Sequence, residues 1–273
     1  MARLRATIAI AILIMVTLLL ILPQWLATKF KWPLQRYIPV LWHRVALRAL
    51  GVRVRQVGNI AKNRPLLVTS NHSSWLDILC IGSTGPLSFV AKSEVSGWPI
   101  FGLFAKLQRT VFVNRSRRSE TGKVAKEIAE RMAQGDAMLL FAEGTSSNGN
   151  KVLPFRSALV GAVHHAMDVG RDEENAAYIQ PLSISYTHFH GLPMGRHWRP
   201  IVAWYGDMEL ASHLWHILKE GGIDVTLHWG EPILLDQGAS RKAITARLEQ
   251  EVRQMTANAL LNCPVLADDR SLV

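Results

Sequence analysis

Apolar and polar positions give the chain two textures. From Ala6 to Leu22 the residues are uncharged, and only Thr7 and Thr17 interrupt the apolar run. Arg3 and Arg5 precede that run, and Pro23, Trp25, Lys29, Lys31 and Trp32 follow it, the pattern of an anchoring helix at an anionic lipid surface. From Arg64 onward, short apolar runs alternate with longer amphipathic ones, which predicts an α/β domain. The short runs predict strands at Leu66–Thr69, Leu87–Ala91, Thr110–Val113, Ala137–Phe141, Tyr178–Tyr186, Ile201–Trp204 and Val225–His228. Helices fall between most of them. One is predicted over Glu120–Gln134, with Ser119 as its cap, Val124, Ile128 and Met132 on one face and Gly135 as its terminator. A closing helix follows Ala239, with Ser240 as its cap and Ile244, Leu248, Val252 and Met255 as its apolar stripe. The expected organisation is a membrane-anchoring helical region over residues 1–60 and an α/β domain over 61–273.

Charge sharpens this division. The 273 residues carry a net charge of +10, yet the first acidic residue is Asp77. Eleven basic residues precede it, while the remainder holds twenty basic and twenty-one acidic residues. The excess therefore belongs to the membrane-proximal end, which argues for an anionic membrane surface and against a nucleic-acid partner. Only Arg3 and Arg5 lie before the apolar run, whereas seven basic residues from Lys29 to Arg55 follow it. That asymmetry keeps the domain on the cytoplasmic side of the inner membrane. Seventeen residues rise about 26 Å as a helix, so a tilted crossing and a shallow monotopic insertion are both open. A cleaved signal fits less well, because Pro23, Gln24 and Trp25 offer no small-x-small pair. A hydrophobic fraction of 49% excludes a disordered chain, and Cys80 and Cys263 form no disulfide or zinc framework.

Candidate chemistry gathers at strand ends. Asn71-His72-Ser73-Ser74-Trp75-Leu76-Asp77 follows the first strand directly. Residues five apart lie about 140° apart around a helix, so His72 and Asp77 cannot meet on one continuous helix. With Ser73 or Ser74 capping a helix that begins near Trp75, His72 sits in the preceding turn and Asp77 in the first helical turn. There the carboxylate can reach back to one imidazole nitrogen and leave the other free to accept a proton. A strand-end histidine beside an aspartate placed for the helix dipole is the competing reading of this segment alone. Phe141-Ala142-Glu143-Gly144-Thr145-Ser146 and Phe112-Val113-Asn114-Arg115 also follow strands, and loops at one edge of a sheet are where an α/β domain builds its site. The chain has no phosphate-cradling glycine loop, no Gly-x-Ser-x-Gly elbow and no dinucleotide fingerprint.

These residues resemble the glycerolipid acyltransferases that acylate 1-acylglycerol-3-phosphate. Asn71-His72 through Asp77 is similar to the family's first block, Phe112 to Arg115 to the second, Glu143-Gly144-Thr145 to the third and Gln180-Pro181-Leu182 to the fourth. Ala91-Lys92-Ser93-Glu94 with Trp98 to Gly102 resembles the segment between the first two. The resemblance implies an α/β fold with a central mixed sheet flanked by helices. It implies that His72 deprotonates an acceptor hydroxyl, that Asp77 orients the imidazole, and that the hydroxyl attacks the thioester of an acyl carrier protein or coenzyme A without an acyl-enzyme. Asn71, Lys92, Arg115, Glu143, Gly144, Thr145 and Pro181 are then the substrate-binding candidates, and neither a cofactor nor a metal is required.

Two positions depart from the family's pattern. Ser146 stands where the third block usually continues with arginine, and Arg109 stands where the second usually opens with glycine. A guanidinium is the natural bidentate partner of a phosphate, so its loss at Ser146 weakens the case for a phosphate-bearing acceptor. Arg109 and Arg156 are the candidate replacements. The alternative is a different head group, and Ala91 to Gly102 with Pro193 to Pro200 resembles the branch that acylates lyso-ornithine lipid. The expected function is transfer of a fatty acyl group to the hydroxyl of a lyso-lipid, lyso-ornithine lipid ahead of 1-acylglycerol-3-phosphate. A lysolipid hydrolase and a non-catalytic membrane-binding module are the readings from other classes. Trp98, Ile100, Phe101, Leu103 and Phe104 are read as core ahead of an acyl slot. Arg115, Arg117, Arg118, Lys123, Lys126 and Arg131 are read as a solvated face ahead of a carrier-protein dock. The loop histidines His188, His190 and His197 are read as ordinary loop residues ahead of zinc ligands.

Overall fold

The computed structural model describes residues 1–63, 65–113, 127–128, 130–132, 134–157, 160, 177–235 and 240–261. Helix α1 covers Ala2–Lys29, extending the apolar run at both ends and passing through Pro23. A 3₁₀ turn at Pro33–Arg36 reverses the chain into α2, Ile38–Leu50. Gly51 ends α2 at φ +69°, a left-handed conformation for which a residue without Cβ is suited. The two helices pack together, with the Trp42 indole donating to Thr17 Oγ1 at 2.9 Å.

A mixed sheet of nine strands among the described residues follows: β1 Val52–Val57, β2 Leu66–Ser70, β3 Ser88–Lys92, β4 Val111–Val113, β5 Ala137–Phe141, β6 Tyr178–Phe189, β7 Leu192–Pro193, β8 Ile223–Trp229 and β9 Ile233–Leu234. The main order is β1-β8-β6-β2-β5-β3-β4, with β7 and β9 paired to β6. Strands β6, β2, β5, β3 and β4 run parallel, and β8 with β1 runs against them. The helices are α3 Leu76–Gly82, α4 Phe101–Leu107, α5 Arg199–Val202, α6 Leu210–Glu220 and α7 Arg241–Leu261, besides the helical residues around Ile128.

Strand β2 is buried along its whole length, and its period-two alternation feeds two cores. Leu66 and Val68 join Leu47, Leu50, Leu76, Ile81 and Ile217 on the side of α1, α2, α3 and α6. Leu67 joins Ile128, Met132, Leu248 and Val252 on the other. Helices thus cover both faces, as a largely parallel sheet requires. The apolar stripe expected on the closing helix, Ile244, Leu248, Val252 and Met255, is buried. Ile128 and Met132 are also buried, and Gly135 at φ +83° terminates their helix with its N–H on the Met132 carbonyl; most of the predicted Glu120–Gln134 lies outside the described residues.

Three elements differ from expectation. Ile201–Trp204 is not a strand, because Pro200 sits in the first turn of α5 and the chain straightens only at Ala203. Val52-Arg53-Val54-Arg55 falls in the helical region expected over residues 1–60 but forms β1, parallel to β8, with Arg53 held 2.6 Å from Asp224. The sheet therefore includes residues on the N-terminal side of the boundary expected at 60/61. Trp98, Ile100, Phe101 and Leu103, expected in the core, are exposed in and just before the short α4.

Candidate active site

Strands β2, β5 and β3 end at one edge of the sheet, delivering His72, Glu143 and Lys92 there. His72 lies in the turn between β2 and α3, two carbonyls of which are pinned from other segments. Ser147 N–H donates to the His72 carbonyl at 2.9 Å and Trp204 N–H to the Ser73 carbonyl at 2.8 Å. The imidazole stacks on Phe141 at a centroid separation of 4.0 Å.

Asp77, fully buried in the first turn of α3, organises the turn. Its Oδ2 accepts His72 Nδ1–H at 2.8 Å and the backbone N–H groups of Ser73 and Ser74 at 2.7 and 3.0 Å. The helix start therefore differs in detail from expectation. Trp75 is the residue before the helix, the Ser74 hydroxyl reaches Leu76 N–H only at 3.4 Å, and Asp77 supplies the cap by reaching back. Its other oxygen, Oδ1, accepts the Tyr186 hydroxyl from β6 at 2.6 Å. Binding of Nδ1–H by a carboxylate leaves the lone pair on Nε2, and that nitrogen has no hydrogen bond among the described residues. An imidazole held this way can accept a proton at Nε2.

Glu143 is 2% exposed, with Oε1 accepting Leu153 N–H at 3.1 Å. Its Oε2 is buried too, and the His72 backbone N–H faces the carboxyl. Burial, far more than the nearby Asp77 charge, pushes the Glu143 carboxyl up to about 8. Glu143 is consequently a neutral acid at pH 7. Gly144 takes φ +73° in the turn, and Thr145 is exposed beside it.

The other sequence candidates separate spatially. Both ends of the Asn71 amide are engaged with the Ile184 backbone, Nδ2 donating to its carbonyl and Oδ1 accepting its N–H, each at 2.9 Å. Pro181 is buried within β6 opposite Thr69, with its ring against Gly230. Lys92 is exposed at the end of β3. Arg115 lies outside the described residues, as do Arg117, Arg118, Lys123 and Lys126. Arg156 is exposed, and its Nε donates to the Glu143 carbonyl at 3.1 Å, which puts its guanidinium beside the site. Arg109 is at the wrong edge to replace the arginine absent at position 146. Its Nη2 lies 2.7 Å from Asp136, just before β5 begins, whereas Glu143 lies past that strand's end. Arg109 also has φ +63°, a left-handed conformation that glycine adopts without the Cβ penalty. Sequence inspection missed Tyr186, Phe141 and Trp204, whose local sequence carries no sign of their long-range contacts to the turn.

The α/β sheet, with its imidazole–carboxylate pair at the carboxyl edge of the parallel strands, takes its class from its sequence relatives, which make it an enzyme of acyl transfer. The model of the family described as Acyltransferase matches residues 51–185, from the start of β1 to the strand that carries Tyr186. The chain is 48% identical to the lyso-ornithine lipid O-acyltransferase of Brucella abortus over 94% of this chain and 96% of that protein. It is 43% identical to the lyso-ornithine lipid O-acyltransferase of Rhizobium meliloti over 91% and 85%. It is also 29% identical to the 1-acyl-sn-glycerol-3-phosphate acyltransferase of Neisseria gonorrhoeae over 78% of each chain. The crystal structure of the 1-acyl-sn-glycerophosphate acyltransferase PlsC from Thermotoga maritima shares the fold, with a TM-score of 0.62 and 21% identity over 94% of this chain and 97% of that one. The chain belongs to the acyltransferase family and is an acyltransferase.

Proposed function

We propose that this enzyme transfers a fatty acyl group from a thioester of acyl carrier protein or coenzyme A to the free hydroxyl of lyso-ornithine lipid. The observation that carries the reading is the His72 Nδ1–Asp77 contact of 2.8 Å, which leaves Nε2 as a base. Nε2 takes the hydroxyl proton as the oxygen attacks the thioester carbonyl. The tetrahedral intermediate collapses with cleavage of the carbon–sulfur bond, and the leaving thiolate recovers the proton from the imidazolium. The lyso-ornithine acceptor is supported by the names of the relatives at 48% and 43% identity and by Ser146 in place of a phosphate-binding arginine. Arg156 beside Glu143 favours the second reading, a 1-acylglycerol-3-phosphate acceptor yielding phosphatidic acid. Arg115, Lys92, Gly144 and Thr145 remain the candidates for head-group contact.

The reaction is read as occurring on the cytoplasmic face of the inner membrane, with the helical region of residues 1–60 as the anchor. Both ends of α1 are tied to the same globular body. Arg5 Nη2 donates to the Leu50 carbonyl at 2.6 Å, and Gln24 Nε2 donates to the Leu107 carbonyl at 2.6 Å. A helix held at both ends by one domain cannot carry its ends to opposite sides of a bilayer, which supports monotopic insertion. Leu18, Leu19, Leu22, Trp25, Trp32 and Leu41 form the exposed apolar surface for that insertion.

The test is transfer by purified protein in vesicles containing anionic lipid, using labelled acyl carrier protein and labelled acyl-coenzyme A against lyso-ornithine lipid and lysophosphatidic acid. Diacylated ornithine lipid is expected, with turnover lowered about a hundredfold or more in His72→Ala, the scale of a positioned general base. Exclusive use of lysophosphatidic acid would overturn the acceptor. Free fatty acid released from lyso-lipid without thioester would favour a hydrolase, and lipid binding without thioester consumption a non-catalytic module.

A further inference from the structure

We infer that Tyr186 is a positioning residue for acyl transfer, acting through Asp77 on the general base His72. The inference rests on the reading of His72 and Asp77 as the reacting pair and adds a third member outside the sequence block that contains them. Three of the four donors to Asp77 come from its immediate neighbours, residues 72–74, and all converge on Oδ2. Tyr186 alone among the described residues donates to Oδ1, at 2.6 Å and from a strand 109 positions away. It is therefore the contact that registers the rotation of the carboxylate against the sheet. Without it, Oδ1 loses its tie to the sheet, and the line from Oδ2 to the imidazole is defined only by the turn itself.

The surroundings fit this role. Leu182, Ile184 and Tyr186 share one face of β6 and meet Leu76, Cys80 and Ile81 of α3 in a single core. The Asn71 amide clamps both backbone groups of Ile184, fixing β6 against the turn two residues before Tyr186. The phenol is 3% exposed and also hydrogen-bonds the Ser74 side chain. Burial, then the Asp77 charge, pushes its ionisation well above the usual range, so it remains a donor throughout the working pH range. Also near the pair are Glu143 in the turn after β5, a neutral acid at pH 7, and, on the helix of Asp77 itself, the Cys80 thiol, pushed well up by burial. Tyr186 is thus the neutral donor that shares the Asp77 charge. A hydroxyl that draws charge toward Oδ1 weakens the hold of Oδ2 on the imidazolium formed during the reaction.

The test uses full-length Tyr186→Phe in the same vesicles. Expected is a fall in kcat of about tenfold, the scale of one hydrogen bond to a charged acceptor, with KM for both substrates unchanged. The acidic limb of the pH–rate profile is expected to move to higher pH, because the imidazolium is then held more strongly. In an Asp77→Asn background the same substitution is expected to add almost nothing, since the carboxylate it acts through is gone. If Tyr186→Phe does not fold, 3-fluorotyrosine at position 186 keeps the hydroxyl as a stronger donor, and the acidic limb is expected to move to lower pH. A native pH profile in folded Tyr186→Phe or in the fluorotyrosine protein overturns the inference. So does an equal tenfold loss in both backgrounds, which marks a structural role only. Native activity of His72→Ala would instead bring down the underlying reading, so the two failures are distinguishable.

Discussion

Replacing Asp77 by asparagine tests the base directly, because the structure provides the means for the protein to fold without the charge. Asparagine is nearly isosteric, and its side-chain oxygen can serve the three donors now on Oδ2 while its amide donates to the Tyr186 oxygen. The three donors on Oδ2 keep an acceptor, while the Tyr186 O–H must turn to another one, so fold stability is expected to fall by no more than about 3 kcal/mol. What disappears is the negative charge 2.8 Å from Nδ1, needed when Nε2 takes the proton and the ring becomes cationic. At an effective dielectric of about 20, opposite unit charges about 4 Å apart attract by about 4 kcal/mol. The imidazole is partly exposed, but Asp77 is fully buried, so screening removes only part of this. The expected loss is about a thousandfold in kcat, between a hundredfold and ten thousandfold, with KM little changed. Initial rates with labelled acyl donor and lyso-lipid, measured beside a far-ultraviolet dichroism spectrum and a melting curve, read it out. A folded Asp77→Asn enzyme retaining more than about a tenth of native kcat would refute an electrostatic role for the carboxylate.

Two further predictions concern stability. The Glu143 carboxyl binds its proton more tightly in the folded protein, at about 8 against an ordinary 4.5, so its contribution is full below pH 4.5 and is lost as pH rises to 8. The loss is at most about 5 kcal/mol, and Glu143→Gln, which resembles the neutral acid, is expected to show a shallower fall in melting temperature over that window; parallel curves for the two proteins would exclude it. At Arg109, φ +63° strains any residue with a Cβ, so Arg109→Gly loses only the ion pair to Asp136, whereas Arg109→Ala loses the pair and keeps the strain. Urea unfolding is expected to find the glycine variant about 1 kcal/mol more stable than the alanine one, and equal midpoints would remove strain from the account.

Much of the fold is visible in local pattern because strands and helices declare themselves through periodicities of two and 3.6 residues. Strands β2 and β5 stand out as short apolar runs and α7 by its 3.6-residue stripe, and all three lie where these predict. Ile201–Trp204 deceived because four apolar or aromatic residues are too few to separate a strand from a helix turn, and Pro200 set the outcome. Strand β1 is hidden by its arginines, which count with the basic residues after the apolar run until Asp224 on β8 is brought alongside. The exposed Trp98, Ile100, Phe101 and Leu103 were misread for a related reason, as hydrophobicity does not say whether the neighbour is protein or lipid.

The candidate base lies in a separate category, because its two partners are five residues apart and one turn can join them. The sequence by itself determined the strand-turn-helix that holds His72 and Asp77, the charge asymmetry about the apolar run and the family to which the blocks belong. Only the tertiary structure decided that Arg109 serves Asp136 at the far edge, that the Asn71 amide is occupied by a neighbouring strand, and that a tyrosine on β6 completes the Asp77 shell. The physical reason is range: capping and turn formation act within a few residues, whereas ion pairs and buried hydrogen bonds depend on which strands lie side by side, and that order is set by the whole core at once.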